Sequence, residues 1–357
     1  MRSFRQTKDL RPVRPKQASR RNAVAIRFLT AVTLVACSSI AAFPVQEIKV
    51  ATLAPEGSPW VDALRAIDAD LREATASTLG LRIYPGGVQG EEEVIIRKMR
   101  VGQLHAAGFG GTGVSKLFPD VLALETPFLF SNYDEIDYVL EQMRDYYTAG
   151  YADNGYVLLG WVDVGFIHLL SKGPIAGIDD LKELKVWRLQ DEPITGVLFK
   201  KAGVTSVPLS IPDVLLGLQT NLVEVVYASP AAAIILQWFT KVTHFTDLPI
   251  NYALGAFLMD KRVFDQLPPE QAELLRSISW KHMRQEVAHN REQNAEALEI
   301  LELQGLTRVV PPEAEIRRFR ALVDESMLEL TGNAFSRESA DLVQKHLHAL
   351  RHPGEKP

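Results

Sequence analysis

One cysteine, Cys37, is the only thiol in the 357 residues. A lone cysteine closes no internal disulfide and builds no cysteine-ligated metal cluster. Eight histidines are present, but there is no His-Glu-x-x-His pattern, no cysteine–histidine pair and no nucleophile elbow. His346 and His348 lie two apart, which on a helix turns them away from each other. Glu91, Glu92 and Glu93 resemble a carboxylate cluster only until their place is considered. They open a helix, where acids suit the positive end of the dipole. No acid–base pair is assembled and no cofactor or metal is required, so the chain reads as a binding protein rather than an enzyme.

Positive charge is scarce outside one segment. Residues 1–36 hold nine Lys/Arg and one acid, so this segment carries +8 and the remainder −13. An acidic body argues against nucleic acid as partner, because phosphate binding needs a basic face. Long apolar runs are also missing. The basic terminus runs into Phe28 to Ala36, the short apolar core of an export signal, and this stretch is too short to span a bilayer as a helix. Leu34-Val35-Ala36-Cys37 resembles a bacterial lipoprotein box, which would lipidate Cys37 and tether the chain to a membrane. Cleavage after Ala41 or Ala42 is the alternative. Either way the chain is expected in the periplasm or at the outer face of the cell envelope. The glycine-rich loops 85–87 and 110–113 match neither a Walker loop nor a dinucleotide fingerprint, so they read as tight turns.

What is present is an ordinary globular composition, 46% hydrophobic and 23% charged, long enough for one large or two modest domains. Strands at 46–52, 79–84 and 106–109 alternate with helices opened at Pro59 and at 91–101. This is one half of a doubly wound α/β unit. A helix is expected at 133–151, and two strands at 156–162 and 166–171. The stretch 178–230 repeats the alternation, with strands 184–189, 206–209 and 222–228 and helices 192–202 and 211–220. Extended chain at 246–260 leads to a helical run over 268–306, in one piece or bent, whose apolar stripe includes Leu274, Leu275, Ile278, Met283, Leu301 and Leu303. Its length suits a brace between two domains. Helices at 313–330 and 336–350 and a disordered tail at 352–357 complete the chain.

The stretch Leu181-Lys182-Glu183-Leu184-Lys185-Val186-Trp187-Arg188, followed by Leu218-Gln219-Thr220-Asn221-Leu222-Val223-Glu224, resembles the solute-binding proteins of TRAP transporters, dicarboxylate type. The segments IKVATLAPEGSPW, YPGGVQGEEEVIIRKMRVGQLHAAGF, FPDVLALETPFLF and GWVDVGFIHLLSKGPI carry the same resemblance from about Ile48 to the Trp280 region. It implies a two-domain, periplasmic-binding-protein-like α/β fold with crossing hinge strands and a long domain-bridging helix. The domains implied are 46–163 plus 250–284 and 164–249 plus 285–357, after a signal and linker at 1–45. It also implies hinge closure around a small solute and delivery to membrane permease subunits.

In that family an arginine at the strand end pairs with a ligand carboxylate through its planar fork. By motif that position is Trp187 here. A second family arginine falls at Ile167, and the family's asparagine falls near Ala228 or Ser229. Arg188 is the alternative clamp, but in a regular strand it faces away from Trp187. The candidate ligand-binding residues are Ser58, Trp60, Thr112, Trp161, Ile167, Trp187, Arg188, Asp191, Tyr227 and Ser229. The loss of both arginines points first to a hydrophobic or amphipathic solute. The alternatives are an ordinary dicarboxylate or sugar acid held by Arg188, and a sensory or scaffold protein without solute.

Overall fold

The computed structural model describes residues 46–354; Cys37 and the expected export signal lie outside them. The first lobe opens with β1 (Gln46–Thr52), α1 (Pro59–Ala74), β2 (Leu79–Tyr84), α2 (Glu92–Arg100), β3 (Ala106–Phe109) and α3 (Gly111–Leu117). A 3-10 segment (Pro119–Glu125), α4 (Tyr133–Gln142) and α5 (Arg144–Asp153) follow. β4 (Tyr156–Ser171) carries the chain into the second lobe. There α6 (Ile178–Lys182), β5 (Val186–Arg188), α7 (Pro193–Ala202), β6 (Ser206–Pro208), α8 (Ile211–Gln219), β7 (Val225–Ala228) and α9 (Pro230–Ile235) alternate. After β8 (His244–Thr246), β9 (Asn251–Asp260) carries the chain back, and α10 (Lys261–Phe264) leads to α11 (Pro269–Leu303). β10 (Thr307–Val309), α12 (Glu313–Leu330) and α13 (Arg337–Arg351) end the described chain.

The strands form one path, β2-β1-β3-β9-β4-β7-β5-β6, with β8 and β10 attached beside β4. β1 pairs in parallel with β2 and β3, and β5 in parallel with β6 and β7. Between these two parallel groups run β9 and β4, antiparallel to each other and shared by both lobes. These are the crossing hinge strands that the resemblance implies. The two strands expected at 156–162 and 166–171 are one strand of 16 residues. Its register slips at Leu158/Gly160 and Asp163/Gly165, and these bulges bend the chain without ending it. Gly165 sits at the second slip with φ +107°, and a Cβ there would lie 2.6 Å from the Asn294 amide nitrogen. Glycine is therefore required by both backbone and packing.

Several expected boundaries move. Loop 110–113 belongs mostly to α3, since Gly110 is the cap and the helix starts at Gly111. The single helix at 133–151 is two, parted at Met143. Asp179 and Asp180 lie in the first turn of α6. The strands expected at 184–189 and 222–228 shorten to Val186–Arg188 and Val225–Ala228. The run 268–306 is one helix of 35 residues, packing on α1 of the first lobe, on β4, and on α9 of the second. α12 packs on α7, while α13 turns back to α4 and the 3-10 segment of the first lobe.

The buried face of α11 keeps Leu275, Met283 and Leu301 of the apolar stripe expected but is otherwise largely polar. It reads Leu275, Ser279, Met283, Glu286, Asn290, Asn294, Ala297 and Leu301, at steps of three and four, and Leu303 is exposed. The polar members bind the hinge. Asn290 donates to the Asp163 carbonyl at 2.7 Å, and Asn294 accepts from the Ala231 amide at 3.0 Å. Arg291 donates to the Asp163 carboxylate at 2.5 Å and makes a forked pair with Asp137 at 2.6 and 2.8 Å. Asp163 is 2% exposed and also accepts from the Tyr252 hydroxyl. Removing one partner of such a pair leaves a buried charge uncompensated. Arg291→Met is expected to lose about 3–5 kcal/mol of stability in urea unfolding at pH 7. Adding Asp163→Asn should recover part of that loss.

Candidate functional site

A cavity of about 540 Å³ opens where the hinge strands pass between the lobes. The first lobe contributes Ser58, Trp60, Glu92, Thr112, Lys116 and Glu125. The hinge contributes Asp163, Ile167 and Asn251, and α11 contributes Glu286 and Asn290. The second lobe contributes Trp187, Leu189, Asp191, Glu192, Tyr227 and Ser229.

The lobes meet across the mouth. Lys116 on α3 reaches Asp191 at 3.3 Å and Glu93 at 3.7 Å. A Cβ at Gly111 would lie 3.2 Å from Leu189, and one at Gly87 would lie 3.7 Å from Pro212. Asp191 adopts a left-handed conformation, φ +58°, which aspartate tolerates better than most residues. It lies beside Glu192, whose carboxylate caps α7 by accepting from the Ile194 and Thr195 amides at 2.9 and 2.8 Å.

The expected ligand-binding residues separate into groups. Trp60, Ile167 and Asp191 border the cavity. Ser58 precedes α1 but does not cap it; its hydroxyl is buried without a partner and borders the cavity. Thr112 borders it too, with its hydroxyl donated to Glu92 at 3.0 Å. Ser229 borders it while capping α9. Trp187 is 2% exposed, stacked on Tyr227 at 4.6 Å and edge-on to Trp238 at 5.1 Å. Its indole N–H is donated to the Leu209 carbonyl at 3.0 Å, so it offers the cavity a face and no hydrogen bond. The Tyr227 hydroxyl likewise accepts from the Leu189 amide at 3.0 Å. Trp161 does not border the cavity; it is core, edge-on to Tyr147 at 5.7 Å. Arg188 does not border the cavity either, and its guanidinium donates to the Leu189 carbonyl at 3.3 Å.

The residues that sequence reasoning missed are the buried acids. Among the described residues, eight acidic side chains border the cavity and one basic one, Lys116; no arginine does. Glu92 turns inward from α2. It accepts from the Gly110 and Gly113 amides at 2.7 and 2.6 Å and holds the start of α3. Burial pushes its carboxyl up to about 7 against these hydrogen bonds. Glu125 is 6% exposed and accepts one amide, Leu254, at 3.5 Å. Burial raises it well above the usual range, with Glu192 and Glu92 adding to the effect. Glu286 is 5% exposed, its oxygens make no side-chain hydrogen bond, and burial raises it well above the usual range, with the Asp163 charge adding to the effect and the Asp163 backbone opposing it. A signal for two of these acids existed: Glu125 stands inside the apolar run FPDVLALETPFLF, and Glu286 falls on the three-four spacing of α11.

These raised carboxyls set a pH slope. A carboxyl raised in the folded state favours folding below its unfolded value and loses that contribution as pH rises through its folded value. For Glu92 the window runs from 4.5 to about 7, a loss of about 3 kcal/mol. Unfolding free energy measured without ligand should therefore fall from pH 5 to pH 8. Glu92→Gln is expected to flatten the slope, from a lower start at pH 5, because its NH2 group would replace one of the two oxygens that accept from Gly110 and from Gly113 with Thr112.

The family model described as bacterial extracellular solute-binding protein, family 7, matches residues 50–332. A solute-binding protein of Verminephrobacter eiseniae is 26% identical over 249 residues, covering 68% of this chain and 73% of the relative. The 2,3-diketo-L-gulonate-binding periplasmic protein of Escherichia coli is 26% identical over 57% of this chain and 63% of its own. The ectoine/5-hydroxyectoine-binding periplasmic protein of Ruegeria pomeroyi is 25% identical over 71% and 77%. Among solved structures, the sugar acid binding protein of Advenella mimigardefordensis, in complex with galactonate, superposes with a TM-score of 0.79. It has 18% identity and covers 85% of this chain and 98% of that one. A TRAP periplasmic solute-binding protein of Pseudomonas putida with bound D-glucuronate gives 0.77 at 20% identity, covering 87% and 98%.

Proposed function

The chain belongs to the bacterial extracellular solute-binding proteins of family 7, and on that premise we propose that it is the periplasmic component of a TRAP-type transporter, closing around a small carboxylate-bearing solute and delivering it to membrane permease subunits. The observation that carries this reading is the cavity of about 540 Å³ at the crossing of β4 and β9, roofed by contacts from both lobes. Its volume suits a small molecule.

The named solutes of the relatives and neighbours are mostly sugar acids. They weigh for the small carboxylate over the hydrophobic or amphipathic solute that the lost arginines suggested. In this reading the carboxylate is met by Lys116 at the mouth, with Arg188 behind Leu189 as the second positive charge. The lobes are residues 46–163 with 250–284, and 164–249 with the chain from 285, α13 folding back to the first. Closure is a population shift, so contacts made only when the lobes meet favour the loaded state. Periplasmic residence follows the names of the relatives, and a lipid tether through Cys37 is the finer form of the same reading.

Native mass spectrometry of protein purified from its own envelope tests this. The expected result is a bound solute of a few hundred daltons that carries a carboxylate; a lipid or sterol in its place would sink the reading. Asp191→Asn, which removes the contact with Lys116, is expected to weaken binding of that solute roughly two- to five-fold, as for a partly exposed pair worth about 0.5–1 kcal/mol, measured by titration calorimetry.

A further inference from the structure

We propose that the solute also carries a positively charged nitrogen, an ammonium or its equivalent, drawn into the cavity by the buried acids of its wall, Glu125 and Glu286. This rests on the solute-binding reading above and deepens it. The carboxylate alone leaves the deep part of the cavity unexplained. Glu286 stands in the cavity wall on the buried face of α11, 5% exposed, with both oxygens closed off from solvent and only the Asp163 backbone near enough to favour their charge. Buried polar groups are ordinarily paired, and an orphan at a cavity wall asks what pairs it. Glu125 reaches the same cavity from the 3-10 segment, 6% exposed, with one amide at 3.5 Å. At that distance the bond contributes little. Most of its acceptor capacity is free.

The neighbouring acids do not compete for the same role. Glu92 is saturated by α3 and Glu192 by α7. Their charge nevertheless acts on Glu125. Asp163, beside Glu286, already has Arg291 and Tyr252. The one bordering cation, Lys116, is held at the mouth by Asp191 and Glu93. So no basic side chain bordering the cavity pairs with Glu125 or Glu286. An ammonium brings three donors to acceptor-only carboxylates, and its charge offsets the cost of ionising them in a buried wall. Without ligand, burial favours the protonated form of both carboxyls. As the ammonium seats, a proton leaves for the buffer and the carboxylate forms in contact with the cation. Proton release is thus a signature that a plain acid or polyol would not give.

The test uses matched probes on the purified chain: gluconate against 2-amino-2-deoxygluconate, and butyrate against 4-aminobutyrate. Calorimetry at pH 6 in two buffers of different ionisation enthalpy reads affinity and proton release together. The solute recovered from the native envelope is examined for an amine in parallel. The expected result is at least ten-fold tighter binding by the amino member of a pair, with close to one proton released, or recovery of an amine-bearing solute. Glu286→Gln should reduce both preference and release. Glu125→Gln serves as the second variant if the first fails to fold. Equal or tighter binding of the plain acid, or a recovered solute without positive nitrogen, overturns this inference and leaves carboxylate capture standing. No binding by any probe and no recovered solute, in a chain with a normal thermal transition, overturns the solute-binding reading and this inference with it.

Discussion

The structure depends on the polar seam between α11 and the crossing strand β4. Asp163 is the centre of that seam. Its carbonyl is held by Asn290, and its carboxylate by Arg291 and Tyr252. The strand slips register there and bends at Gly165. A buried charge with good partners is sensitive to their loss and tolerates little displacement. The crossing strands are therefore anchored at one point between the two lobes. An apolar seam would slide more readily, because dispersion contacts are individually weak and undirected.

The cavity inherits its character from this arrangement. α11 places Asn290 and Asn294 where they serve the hinge, and the same helical face places Glu286 at the cavity wall, one turn before Asn290. The acids of the two lobes have different duties. Glu92 and Glu192 hold helix starts, a use suited to the positive end of the helix dipole. Glu125 and Glu286 hold nothing comparable within the protein. A cavity bordered by eight acids and one lysine is an unusual place for a carboxylate alone, and a solute bearing both charges resolves the imbalance.

Much of the architecture was legible in the chain. Period-two and helical patterns, with Pro59 as punctuation, located most elements to within a residue or two. The misplacements have physical causes. A β-bulge interrupts alternation without ending a strand, so residues 156–171 looked like two strands. Short strands such as Val186–Arg188 carry too few residues for their pattern to define their ends. The α11 stripe was misread because apolar residues were sought on its buried face, whereas that face is partly polar where it meets the hinge.

The sequence by itself determined the family, the alternation of strands and helices, and the absence of arginine at Trp187 and Ile167. These follow from local patterns and ordered motifs, which survive without coordinates. Only the tertiary structure decided which side chains converge. Trp187 borders the cavity while Arg188, one residue on, does not. Trp161 packs into the core because α5 brings Tyr147 against it. Glu125 and Glu286 lie 161 positions apart in the chain and border one cavity. Burial and missing partners are properties of the whole fold, and no local pattern encodes them.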